Sequence, residues 1–107
     1  MISHIRVLLY AATPAGTPTA VPVAYHQISQ RLAGTPGLLN SELLEEVTGS
    51  GEYIIMSEWS SMDAFRVWEN GPDHRHTTAP LRPYHSRGPE AAFGIYKVAA
   101  EYREVVI

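Results

Sequence analysis

Tyr53-Ile54-Ile55-Met56-Ser57-Glu58-Trp59-Ser60-Ser61-Met62-Asp63-Ala64-Phe65-Arg66-Val67-Trp68 decides the fold, because the sequence pattern changes inside it. Up to Trp59 the stretch is rich in strand-forming residues, and in a strand Ile54 and Met56 fall on one face and Tyr53, Ile55 and Trp59 on the other. Ser60-Ser61-Met62-Asp63 then offers a hydroxyl three residues ahead of an acid, the capping-box arrangement that opens a helix. Ala64 to Trp68 continues that helix until Asn70-Gly71-Pro72 ends it.

Working outward, Leu38 to Val47 is a second strand pattern, joined to Tyr53–Trp59 through the Gly-containing turn Thr48-Gly49-Ser50-Gly51-Glu52. Ile5 to Tyr10 is an apolar strand run broken by Thr13-Pro14-Ala15-Gly16-Thr17-Pro18. From Ala20 to Leu32 the residues Ala24, Ile28 and Leu32 recur every four positions on one helical face, with Gly34 and Pro36 as the stop. Asp73 to Pro89 reads as irregular, and Phe93 to Val105 reads as a last strand. The order is β-α-β-β-α-β, so the expected fold class is a ferredoxin-like α+β domain spanning residues 1–107. Its first strand has apolar residues at both parities, Ile5, Val7 and Leu9 against Leu8 and Tyr10. Helices cover one sheet face only, so the other is expected to be buried in a homodimer.

Composition narrows the function. With 45% hydrophobic and 18% charged residues in 107, the chain has the balance of a folded single domain. The net charge of -3 and the scattering of its eight Lys and Arg argue against nucleic acid as a partner. The absence of Cys excludes disulfides, thiolate metal sites and cysteine nucleophiles. No basic segment leads into an apolar stretch of signal length, and no run approaches the ~18 residues of a membrane span. The expectation is therefore a cytoplasmic protein with no membrane partner.

His74-Arg75-His76 follows the second helix, and His is the side chain whose free pKa suits proton exchange near neutrality. These two are the candidate catalytic bases; the alternative is an exposed polar loop. With His85 they also resemble a metal set, but no carboxylate or Cys completes a ligand signature, so no metal is expected. Trp59, Phe65 and Trp68 are candidates for an aromatic wall against which a flat substrate stacks, or else core packing. Arg82 and Tyr84, in a Pro-punctuated segment with His85 and Arg87, are candidates to hold a substrate phenolate or carboxylate. His26, beside Tyr25, falls nearer the solvent side of the first helix, and Glu42, Glu45 and Glu46 read as a solvated strand face. No phosphate-binding loop, dinucleotide fingerprint or nucleophile elbow is present.

Pro36-Gly37-Leu38-Leu39 together with the block from Tyr53 to Trp68 resembles the central part of the antibiotic-biosynthesis-monooxygenase family. The resemblance implies a dimeric α+β barrel with a pocket in each subunit between helices and sheet. Members include cofactor-independent oxygenases that turn anthrone-type aromatic polyketides into quinones, proteins of polyketide ring cyclisation, and heme-degrading enzymes. The Trp that closes strand three in the quinone-forming oxygenases corresponds to Trp59, while their Asn four residues earlier and Tyr six residues later correspond to Ile55 and Phe65. Heme degraders use an Asn on strand one, where this chain has Arg6, Val7 and Leu8, a Trp matching Trp68, and an iron-ligating His matching His74 or His76. The function implied is a cofactor-independent monooxygenase of antibiotic biosynthesis, taking an aromatic polyketide and molecular oxygen. Aldol-type cyclisation, heme binding or degradation, and non-catalytic polyketide binding are the alternatives.

Overall fold

The computed structural model describes residues 4–88 and 92–102. Its elements are β1 (Ile5–Ala12), α1 (Ala20–Leu32), β2 (Leu38–Glu45), β3 (Glu52–Trp59), α2 (Met62–Glu69), α3 (His74–Thr78), a 3₁₀ segment (Ala79–Tyr84) and β4 (Phe93–Lys97). The four strands lie in the order β2-β3-β1-β4, and every neighbouring pair is antiparallel. This is the expected ferredoxin-like α+β arrangement. Among the described residues no helix is long and apolar enough to cross a membrane.

Strand parity decides what is covered. On the helix side of the sheet Ile5, Val7, Ala11, Tyr53 and Trp59 are buried. α1 lays Val21, Ala24 and Ile28 against them, α2 adds Phe65, and the 3₁₀ segment adds Leu81. Pro22 is the third residue of α1, within the first turn, where a missing N–H breaks no helical bond. The helix-side residues form two clusters, one around Ala11, Val21, Ala24, Ile28, Tyr53 and Leu81, the other around Ile5, Val7, Trp59 and Phe65. The space between these clusters is the site described below.

Several local expectations are corrected. Most of the stretch from Asp73 to Pro89 is not irregular: α3 and the 3₁₀ segment occupy residues 74–84, residues 85–88 carry no helix or strand as expected, and Pro89 lies outside the described residues. Pro80 falls in the first positions of the 3₁₀ segment, where its missing N–H costs nothing, and Arg82 ties the turn back by donating to the Arg75 carbonyl at 2.9 Å. The last strand ends at Lys97, not Val105: Lys97 pairs with Ile5, the first residue of β1, and Val98 N donates to His4 O at 3.0 Å just past the end of the ladder. Of that expected strand, residues 103–105 lie outside the described residues. β2 ends at Glu45, since the Glu46 carboxylate turns into the hairpin and accepts from the Thr48 hydroxyl and from the Thr48 and Ser50 backbone. Those donors hold its carboxyl down at about 2. The helix cap is Ser61, whose side chain accepts from Ala64 N at 3.1 Å. Ala64 has no side-chain acceptor to complete a reciprocal box.

Candidate active site

Trp59 closes β3 on the helix side and is 1% exposed. Its indole N–H, which burial would otherwise leave without a partner, donates to Ser57 Oγ at 2.9 Å. Phe65 and Trp68 are three residues apart on α2, so they share a face and reach the same place. Phe65 meets Trp59 edge-on, with centroids 5.4 Å apart and planes at 72°, and Trp68 lies 5.3 Å from Trp59 at 32°. The chain then reverses through Asn70-Gly71-Pro72, with Asn70 N donating to Arg66 O and Gly71 N to Trp68 O. That reversal returns His74 to the Trp68 ring, 4.5 Å away and nearly perpendicular at 88°.

These rings wall a cavity of about 80 Å³ between helices and sheet. Apolar side chains dominate its lining, Val7, Leu9, Ile28, Leu32, Ile55 and Phe93 among them. Its polar groups are few. The Tyr25 hydroxyl of α1 stands 3.1 Å from Ser41 Oγ of β2, and Ser57 pairs with Ser41 across the strands. Glu69, His74 and Thr78 complete the polar lining from the α2–α3 side.

Burial pushes the His74 imidazole below its usual 6.5, the Glu69 charge pulls it partly back, and the Arg82 and Arg75 charges lower it further. The shift favours the neutral imidazole, the form that accepts a proton. Thr78 fixes the short helix that carries it, donating from Oγ1 to the His74 carbonyl at 2.9 Å.

The structure brings together Trp59, Phe65, Trp68 and His74, and leaves the other expected site residues outside the cavity lining. His76 is exposed, its carbonyl accepting from Arg31 Nη1 at 2.9 Å. Arg82 is exposed and engaged with α3, donating also to Thr78 Oγ1 at 3.3 Å. Tyr84 is half-buried against the cluster around Leu81, and His26 is exposed. His85, its pKa lowered by burial and by Arg82, forms an isolated bridge with Ala11. Of the three glutamates read as a solvated face, Glu42 and Glu45 are exposed, Glu45 also accepting from the Tyr53 hydroxyl at 3.2 Å, and Glu46 is half-buried in the hairpin. No three His, Asp or Glu side chains among the described residues converge as a metal-ligand set.

The sequence reading missed Ser41, Ser57, Glu69 and the pocket role of Tyr25. Ser41 shares its face with Leu43, and Ser57 with Ile55 and Trp59, so parity was the signal that polar character obscured.

A ferredoxin-like sheet with an aromatic-walled cavity under its helices defines the α+β class to which this chain belongs. Within it, the chain belongs to the antibiotic biosynthesis monooxygenase family, whose model matches residues 5–79. Protein SchA of Streptomyces halstedii is 31% identical over 101 residues, covering 94% of this chain and 27% of SchA. A mycobilin-producing heme oxygenase of Mycobacterium tuberculosis is 32% identical over 59 residues, 55% of this chain and 56% of that enzyme. The chain thus spans about a quarter of SchA and just over half of the heme oxygenase. Among solved structures, a mutant form of SnoaB, a cofactor-independent oxygenase from Streptomyces nogalater, superposes with a TM-score of 0.76 at 19% identity, covering 97% of this chain and all of that one. At that identity the likeness is one of fold.

Proposed function

We propose that this chain is a cofactor-independent monooxygenase, working as a homodimer, that oxidises an anthrone- or phenol-type aromatic polyketide to a quinone with molecular oxygen. The observation that carries the reading is the His74 imidazole packed against an aromatic wall in a largely apolar cavity, where burial holds its pKa below the ordinary value. Family membership and the likeness to SnoaB support it.

The chemistry needs a base and an orienting surface. His74 takes the proton from the acidic ring C–H, and the carbanion passes one electron to dioxygen, so the substrate is its own reductant. Radical recombination gives a ring hydroperoxide, and loss of water leaves the carbonyl; CH2 and O2 become C=O and H2O. Trp59, Phe65 and Trp68 supply flat faces that hold the rings and exclude water. The cavity of about 80 Å³ is well below the roughly 300 Å³ at which ligand pockets begin, so entry of a three-ring substrate requires it to widen.

The test is oxygen uptake with a 1,8-dihydroxyanthrone. Wild type consumes oxygen and yields the quinone, and His74→Ala lowers turnover by about 10²- to 10⁴-fold while the fold is retained. A smaller loss is expected for His76→Ala, whose ring is exposed. Full turnover by His74→Ala would overturn the assignment of the base, and product formation without oxygen uptake would favour aldol-type cyclisation.

The contact between Trp68 and His74, with the mycobacterial heme oxygenase as a relative, favours a second reading in which heme is the substrate and His74 its ligand. Stoichiometric hemin binding with a strong visible band would support that reading instead.

A further inference from the structure

We infer that Tyr25 and Ser41 form a hydrogen-bonding seat for a substrate oxygen, the ring carbonyl that gains negative charge when the substrate is deprotonated. The inference rests on the oxygenase reading of the same cavity. Their two hydroxyl oxygens are 3.1 Å apart, reaching from α1 to β2, and both residues line the cavity. Each hydroxyl brings one proton and two lone pairs. The mutual bond uses one of the two protons, whichever group donates, and among the described residues neither hydroxyl has another protein partner. One O–H therefore remains for a third atom, and that atom must be an acceptor.

A second donor stands beside the first. Ser57 is the cross-strand partner of Ser41 and lines the same cavity, and its oxygen already accepts the Trp59 indole N–H. With that lone pair occupied, the Ser57 hydroxyl proton is also left for an acceptor. Two neutral O–H donors in an otherwise apolar wall suit a ketone in the ground state and an enolate oxygen better still, because hydrogen bonds to an ionised acceptor are roughly twice as strong as neutral ones. The seat is built on α1, β2 and β3, whereas His74 comes from α3. Proton removal and oxyanion stabilisation are thus assigned to different walls of one cavity. The geometry selects polycyclic substrates that carry a carbonyl conjugated with the acidic C–H, and disfavours hydrocarbons of the same shape.

Anthraquinone and anthracene, the same three rings with and without carbonyl oxygens, provide the test, with binding read from quenching of tryptophan fluorescence. Wild type is expected to favour anthraquinone by roughly tenfold, the worth of one to two net hydrogen bonds. Tyr25→Phe and Ser41→Ala should each reduce this preference and the double variant cut it to about threefold or less, the share left to the Ser57 hydroxyl, while anthracene affinity changes less than about twofold. Ser41→Thr, which keeps the hydroxyl, should retain the preference. In oxygen uptake with the anthrone, the double variant should lose about 10²-fold in kcat with little change in KM. Ser41→Ala removes a single atom, so it reports even if Tyr25→Phe fails to fold. A preference undiminished in the double variant, or absent from wild type, overturns the seat. A preference reduced in the variants without any oxygen uptake by wild type supports the seat and overturns the oxygenase reading.

Discussion

His74 is half in the protein and half at its edge, and the balance of forces on one imidazole sets the pH behaviour expected of the whole chain. Burial disfavours the cation, and Arg82 and Arg75 add to that effect, while Glu69 opposes it, so the folded pKa lies below 6.5. A base works when unprotonated. The value of kcat/KM should therefore be level above neutral pH and fall on acidification with a midpoint below 6.5; a midpoint above 6.5 would remove His74 as the base. Stability follows the same sign. Between the folded and unfolded pKa values the unfolded chain binds more protons, so the His74 contribution is complete above the unfolded value and is lost as pH falls through the folded one. His85 is shifted in the same direction and adds to the acid destabilisation. The melting temperature should accordingly drop from pH 7 to below pH 6, and less steeply in His74→Ala.

At the scale of elements, the eight-residue α2 is too short to be stable alone, so its docking decides whether the aromatic wall exists. The entry to β2 is what it docks on. Gly37 has φ +83, its carbonyl accepts Ser60 N at 2.8 Å, and a Cβ there would overlap the Cβ of Ala64. Gly37→Ala should cost about 2–4 kcal/mol, the sum of left-handed strain and overpacking. Gly34 has nearly the same φ, +81, with nothing within 4 Å of a Cβ, so Gly34→Ala should cost only about 1–2 kcal/mol. Urea midpoints at unchanged slope measure both, and equal losses would show that Gly37 matters only for its dihedral. The sequence announces this junction through the change of period between β3 and α2, and it announces Trp59, Phe65 and Trp68 through strand parity and helical spacing. It does not announce α3, because Pro80, Pro83 and a polar composition read as loop until tertiary bonds from Arg31, Thr78 and Arg82 are seen to hold the turn. For the same reason His74 and His76 are equivalent in sequence, and only the orientation of α3 separates the one in the cavity from the one in solvent.

For the whole molecule the unbalanced feature is the sheet face away from the helices. Leu8, Tyr10, Leu44, Ile54, Met56 and Tyr96 share it by register, and Leu44 and Tyr96 are 42% and 51% exposed. Charge sits at its margins rather than its centre: Glu58 is held by His4 and Arg6, each at 3.2 Å, and the Arg87 guanidinium lies 3.6 Å over the Tyr10 ring. β4 adds the exposed Phe93 and Ile95 on the opposite face. A face that is apolar in the middle and charged at the rim has the anatomy of a subunit interface, and a stable dimer needs about 800 Å² of it per partner. Light scattering at micromolar concentration should therefore give close to twice the 11.8 kDa of the chain. Ile54 stands between Tyr10 on β1 and Leu44 on β2, so Ile54→Glu would place a carboxylate among the apolar side chains of the contact. That variant should run as a monomer while its circular dichroism stays that of the wild type, because Ile54 belongs to neither helix-side cluster. A wild type that scatters as a stable monomer, or an Ile54→Glu variant that remains dimeric, would mean that this face is not where two copies meet.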